Sequence, residues 1–157
     1  TGMRLGEILN LQWQDVDLRS GSIKVVFSKS GKMRKIPMNA AVKETMKGLE
    51  KGNNGSFVFA GPDGKPYGSI KRSFKNALRK AGIEGCWFHD LRHTFASHLV
   101  MSGGDLVTGK ELLGHSSIEM TMRYSHTNAL SKSSAVAVLD DVLKSDGHNL
   151  VTISQNS

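Results

Sequence analysis

The spacing of apolar positions changes several times along the chain, and each change predicts an element. From Arg4 to Leu11 the residues Leu5, Ile8 and Leu9 recur at helical spacing, which leaves Arg4 and Glu7 together on the other face. Trp13, Val16 and Leu18 lead into a sheet. Ile23, Val25 and Phe27 then alternate with Lys24, Val26 and Ser28 as a strand of period two. Ser30-Gly31 supplies a turn, and Met33 to Met38 returns as a second strand that Pro37 ends. Helical spacing resumes at Val42, Met46 and Leu49, within Ala41 to Leu49, and Gly52-Asn53-Asn54-Gly55 stops it. Phe57-Val58-Phe59 reads as a short strand closed by Gly61-Pro62-Asp63-Gly64.

The remainder reads as helices. Ser69 caps one that runs to Ala81, with Ile70, Phe74, Ala77 and Leu78 inward, and Gly82 ends it. A second, from Asp90 to Met101, is predicted to bury Leu91, Phe95 and Leu99 and to stop at Gly103-Gly104. Gly109 would loosen the start of the helix that leads to Leu112-Leu113. Ser116 and Glu119 have capping-box spacing, so another helix is expected just after His115, carrying Tyr124. After a polar spacer at Ser131 to Ser134, Ala135 to Leu143 forms a helix and Leu150 to Ile153 a terminal strand suited to docking in cis or in trans. The pattern predicts an α+β fold, mainly helical with a small antiparallel sheet, in which residues 1–145 form one domain and 146–157 a tail.

Charge adds a partner to this picture. The 157 residues carry a net charge of +7, and the surplus is not spread evenly. Lys24 to Lys51 holds eight Lys/Arg against Glu44 and Glu50, and Lys65 to Lys80 holds six with no acid. Basic charge concentrated in this way suits double-stranded DNA, whose condensed counterions it would release. Lys32, Arg34, Arg72, Lys75 and Arg79 are the candidate contacts. Cys86 is the single cysteine, which excludes an internal disulfide, and its place beside Trp87 and Phe88 predicts a small buried residue. No apolar run is long enough to cross a bilayer and no signal peptide is visible, so cytoplasmic residence is expected.

The candidate chemistry lies in three clusters: Thr1-Gly2-Met3-Arg4-Leu5-Gly6-Glu7, His89-Asp90-Leu91-Arg92-His93-Thr94-Phe95, and Leu112-Leu113-Gly114-His115 with Tyr124 behind it. A tyrosine hydroxyl, with a reference pKa of about 10, needs help to act as a nucleophile at neutral pH. Arginine is permanently charged and its planar fork matches two phosphate oxygens. Two arginines, two histidines and a tyrosine can attack a phosphodiester without a metal. His93, His98 and His126 are not required by this chemistry, and structural hydrogen bonding is expected for the first two.

Arg4 within T-G-M-R-x-x-E, Lys29 in the strand–turn segment, H-D-L-R-H-T-F-A-S and L-G-H-S-S-I-x-M-T-M-R-Y-S-H together resemble the tyrosine recombinases, the phage-type integrases. The resemblance runs from Thr1 to His126. It implies that Arg4 and Arg92 grip the scissile phosphate and that His89 and His115 hydrogen-bond to it or assist proton transfer. It further implies that Lys29 protonates the leaving 5′ oxygen, that Tyr124 forms a 3′-phosphotyrosyl bond, and that Glu7 orients its neighbours. The covalent link conserves the bond energy, so neither ATP nor a metal is implied, and strand exchange implies a tetramer on DNA and a monomer or tail-docked oligomer when free. Against that family the chain reads as a fragment without the N-terminal DNA-binding domain and the first helix of the catalytic domain. Three other readings are weaker. A metallohydrolase would use His89 and His93 at ligand spacing but leaves Arg4 and Tyr124 without a role. A type IB topoisomerase-like enzyme would share the chemistry and reseal one strand at a time, and a DNA-binding integrase relative, inactive as a fragment, would lack it.

Overall fold

A short helix, α1 (Leu5–Leu9), opens a computed structural model that describes residues 1–26, 33–50, 55–125 and 136–137. A single 3-10 turn at Trp13–Asp15 leads into β1 (Val16–Asp17), followed by β2 (Ser22–Val25) and β3 (Arg34–Pro37). They form one antiparallel sheet in the order β1-β2-β3, with Ile23 opposite both Val16 and Ile36. The period-two reading thus places both long strands; the turn between them lies outside the described residues. Four longer helices follow: α2 (Ala40–Glu50), α3 (Lys71–Ala81), α4 (Phe88–Met101) and α5 (Leu106–Leu113). A last turn of helix, α6 (Glu119–Met122), precedes Tyr124. The mainly helical α+β architecture is the one the apolar pattern predicts.

Two apolar clusters hold these elements. Met3, Leu11, Ile23, Val25, Ile36, Met46 and Val58 form the first, which joins the sheet to α2. Ile23 and Ile36 are fully buried, and each contributes about 1.5–3 kcal/mol through removal of apolar surface from water. Ala96, Val100, Leu113 and Tyr124 form the second, with Phe95 and Leu106 packed against it.

Several local expectations are corrected. Phe57-Val58-Phe59 is not a strand: Phe57 makes an isolated bridge to Gln12, while Val58 donates its N–H to the Leu11 carbonyl and fills the core. The buried stripe of α4 is Arg92, Ala96 and Val100, one position round the helix from the predicted stripe. Leu91 is exposed, and Phe95 and Leu99 are half-buried. On α3, Ile70, Phe74 and Leu78 are half-buried as the spacing suggests, whereas Ala77 is exposed. Gly82 does end that helix in the left-handed region, with φ +67°. Cys86 is half-buried and its neighbour Trp87 lies open to solvent, so the cysteine is not a core residue.

The capping box predicted at Ser116 and Glu119 does not form. The Ser116 hydroxyl points to the Met120 sulfur at 3.5 Å, and the Glu119 carboxylate takes a hydrogen bond from Ser117 instead. A side-chain cap does form on α5, where Asp105 Oδ1 accepts from the backbone N–H groups of Val107 and Thr108 at 2.8 and 3.0 Å. Gly109 sits inside α5, and a Cβ there would stand 3.3 Å from Thr121 Cγ2. Its visible role is to admit Thr121 against the helix. The chain divides into two compact units, Thr1–Thr127 and Asn128–Ser157. Of the second, Val136 and Ala137 are helical and exposed, and the predicted terminal strand lies outside the described residues.

Candidate active site

The site is organised by the C-terminal end of α5. The last carbonyls of a helix lack intrahelical partners and carry the negative end of its dipole, so they attract cations. Here three arginines from three different elements take three successive carbonyls. Arg34 Nε donates to Leu112 O at 2.9 Å, Arg92 Nη2 to Leu113 O at 2.6 Å, and Arg4 Nη2 to Gly114 O at 2.9 Å. Gly114 ends the helix with φ +62°, and a Cβ at that position would lie 2.7 Å from Arg34 Nη1. Glycine meets both requirements, the left-handed backbone and the close approach of the guanidinium.

Glu7 gathers two of these cations. Its carboxylate, buried to 6% exposure, accepts from Arg34 Nη1 and Nη2 at 2.9 and 2.7 Å, from Arg4 Nη1 at 3.1 Å, and from the Arg4 backbone N–H at 2.8 Å. Burial by itself would raise the Glu7 pKa, but the Arg34 fork and the Arg4 hydrogen bonds outweigh it and hold the carboxyl below its ordinary value. The expectation that Glu7 orients its neighbours therefore has a defined geometry. Arg34, expected among the DNA contacts, is instead turned inward: Nε and both Nη nitrogens are engaged by Glu7 and by the end of α5. β3 explains why, since Arg34 shares a strand face with Ile36, which is buried, while Lys35 and Pro37 face out.

Arg92 is 5% exposed, and its Nη1 also donates to Gly2 O at 2.5 Å. Burial, with Arg4 close by, lowers its pKa to about 10, so it stays charged at neutral pH. Five N–H donors are available to a guanidinium, and these two carbonyls use two of them.

His115 follows Gly114 directly. Its Nδ1 lies 2.8 Å from the hydroxyl of Thr121, which is fully buried. Burial lowers the His115 pKa to about 4, with Arg92 and Arg4 acting in the same direction, so the imidazole is neutral at pH 7. Because the ordinary value is 6.5, an unfolded chain binds a proton on this residue between pH 6.5 and about 4 that the folded chain does not. Stability is therefore expected to fall as the pH is lowered through that window. Urea midpoints at pH 7, 5.5 and 4.5 should show a shallower decline for His115→Gln, and parallel curves would contradict the assignment.

Tyr124 lies two residues beyond α6, its ring 9% exposed within the second cluster. Its hydroxyl is 2.6 Å from Nδ1 of His93. The His93 ring in turn meets the His89 ring edge-on, with centroids 4.7 Å apart and planes at 85°. Burial lowers the His89 pKa, as do the neighbouring His93 and Arg92. Hydrogen bonding was expected of His93, but no sequence signal pointed to Tyr124 as its partner. His98 is exposed.

The chain is similar to known proteins in sequence and in fold. Residues 1–130 match the model of the phage integrase family. The chain belongs to the phage integrase family. Among relatives of this integrase domain, the tyrosine recombinase XerC of Xanthomonas campestris pv. campestris (strain B100) is 36% identical over 135 residues, which is 80% of this chain and 41% of that protein. The chain therefore spans about two-fifths of such a relative. The catalytic domain of bacteriophage HP1 integrase superposes with a TM-score of 0.67 at 31% identity, covering 97% of this chain and 80% of that one. The integrase of transposon Tn1549, solved with a circular intermediate DNA, has a TM-score of 0.75 at 24% identity over 90% of this chain and 55% of that one; at this identity the likeness concerns the fold.

Within this integrase domain, Arg4, Glu7, Arg92 and His115 come together around the end of α5, and His93 stands beside Tyr124 with the His89 ring against its own. Lys29 and Lys32 lie outside the described residues. Arg72, Lys75 and Arg79 are exposed along α3. No group of three or more His, Cys, Asp or Glu with metal-holding geometry occurs among the described residues, and none of the described helices is long and apolar enough to cross a membrane.

Proposed function

We propose that this domain cleaves and rejoins DNA strands in site-specific recombination through a 3′-phosphotyrosyl intermediate on Tyr124. The observation that carries the proposal is the convergence of two arginine forks and a neutral histidine on one helix end, with a core-held tyrosine close behind in sequence. Arg4 and Arg92 have N–H donors left over from their carbonyl contacts with which to hold the nonbridging oxygens of a phosphate. His115, uncharged at pH 7, adds a hydrogen bond without competing for the phosphate's charge. Tyr124 attacks phosphorus, and Lys29 protonates the departing 5′ oxygen. Arg4 and Arg92 take up the charge that grows on the phosphorane, a task for which a preorganised site needs no metal. The proposed partner is double-stranded DNA, consistent with the DNA-bound integrase of Tn1549. We further propose a tetramer on DNA, a monomer or tail-docked oligomer when free, and a cytoplasmic, nucleoid-associated location.

The basic outer side of α3 is the proposed backbone contact. Arg72, Lys75 and Arg79 are all exposed, and α3 has no acidic residue in its first turn. Replacing all three with glutamine should lower the slope of log affinity against log salt by about 2–3, since each contact to duplex DNA contributes about 0.9. Fluorescence anisotropy at several salt concentrations measures it, and an unchanged slope would move the DNA to another face. The function itself is tested by incubating the protein with a library of nicked random duplexes in EDTA, without ATP. Capture and sequencing of covalently bound DNA should enrich one site, and rejoined strands should appear from it. Cleavage that needs a divalent metal would contradict the proposal.

A further inference from the structure

The second histidine of H-D-L-R-H has no task in the reaction proposed above, yet its ring nitrogen lies within hydrogen-bond reach of the tyrosine hydroxyl. His93 Nδ1 and Tyr124 Oη are 2.6 Å apart, a distance typical of a strong O–H···N bond. The tyrosine ring is held by Ala96, Val100 and Leu113, so its hydroxyl has little freedom to choose another place. The imidazole is held too: it projects from the middle of α4, one residue after buried Arg92, and the His89 ring braces it edge-on. His93 itself is exposed as a residue, so its hydrogen bond is not a requirement of core packing. A helix and a buried ring thus bring a nitrogen base to the one oxygen that must lose a proton.

We propose that His93 holds the Tyr124 hydroxyl for attack and accepts its proton as the O–P bond forms. The inference rests on Tyr124 being the nucleophile. In that step Oη bonds to phosphorus and its proton passes to His93 Nδ1. The P–O5′ bond breaks, and the 5′ oxygen takes a proton from the general acid, a protein ammonium group. Rejoining runs the same transfers backward, with His93 returning the proton to Oη. For Nδ1 to act as the acceptor, the hydrogen of the imidazole sits on Nε2. His89, one helical turn earlier on α4, is left for the phosphate.

Single-turnover adduct formation tests this with three proteins and two substrates. The proteins are the unmodified chain, His93→Ala and His93→Asn; the asparagine amide oxygen can replace Nδ1 as a hydrogen-bond acceptor but cannot take a proton. The substrates are a normal nicked duplex and one with sulfur at the bridging 5′ position, whose thiolate departs without protonation. General-base assistance is worth about 10²–10⁴ in rate. Both variants should therefore be slowed at least about 100-fold, and on both substrates, with DNA affinity and thermal unfolding unchanged. Recovery of the normal rate in His93→Asn would reduce His93 to positioning and overturn the proton transfer. Recovery of either variant on the sulfur substrate would place the defect at the leaving group and overturn it as well. A faster His93→Ala would make the contact a restraint on the tyrosine, contrary to the proposal. Failure of the unmodified protein to form any adduct would remove Tyr124 as nucleophile and this inference with it, whereas a normal adduct with normal rates in His93→Ala would remove this inference alone.

Discussion

Replacing Arg34 with alanine is expected to cost about 3 kcal/mol of stability and to lower the melting temperature by an amount on the order of 10 °C. The Arg34 and Glu7 side chains are only 10% and 3% exposed, and they meet through two hydrogen bonds of 2.9 and 2.7 Å. Desolvation makes the intact pair a modest net contributor. Removal of one partner is different, because it leaves a buried carboxylate short of donors and the Leu112 carbonyl without the Arg34 Nε. Arg4 remains on Glu7, which keeps the expected loss near the lower end for broken buried pairs. Arg34→Lys restores charge but not the planar fork, so an intermediate loss is expected. Thermal unfolding of the three proteins measures this, and a fully stable Arg34→Ala would show that the charge cluster does not hold α5 in place.

Arg92→Ala should have a large effect on rate. An arginine that binds the phosphate through two charge-assisted hydrogen bonds loses about 3–6 kcal/mol of transition-state stabilisation on truncation, equivalent to about 10²–10⁴ in single-turnover cleavage. Part of the loss will be structural, since the same guanidinium ties Gly2 O to Leu113 O. Arg92→Lys separates the two contributions. It keeps a positive charge near the phosphate but cannot span two carbonyls and an oxyanion together, so a substantial rate loss should persist even where the melting temperature recovers. Near-normal cleavage by either variant would contradict the role assigned to Arg92.

How much of this was legible in the sequence follows from the range of each interaction. Local regularities were readable: period-two alternation set Ile23, Val25 and Ile36 into the sheet, and Gly82 ended its helix where its backbone freedom is used. The order of the motifs carried the candidate site as a resemblance, and the fold brings Arg4, Glu7, Arg92 and His115 to one helix end. The rotation of α4 departs from its apolar spacing because Arg92, a polar residue, lies on the buried stripe. With its guanidinium satisfied by two carbonyls it takes a core position, and Leu91 is turned outward in exchange. Arg34 was placed on the surface by its charge, although its alternation with Ile36 already put it on the buried face. The His93–Tyr124 contact joins residues 31 apart, and nothing in local spacing encodes it. The capping-box spacing at Ser116 and Glu119 is a case of the opposite kind, a valid local pattern that the fold does not use.

The central claim is that Tyr124 becomes covalently linked to DNA. The decisive measurement is to incubate the protein with its nicked target duplex in EDTA, denature, digest, and locate the nucleotide-bearing peptide by mass spectrometry, with Tyr124→Phe alongside. The account predicts a 3′-phosphotyrosyl adduct on Tyr124 that is lost in Tyr124→Phe while DNA affinity stays close to normal. An adduct on another residue, or one that survives Tyr124→Phe, would contradict it.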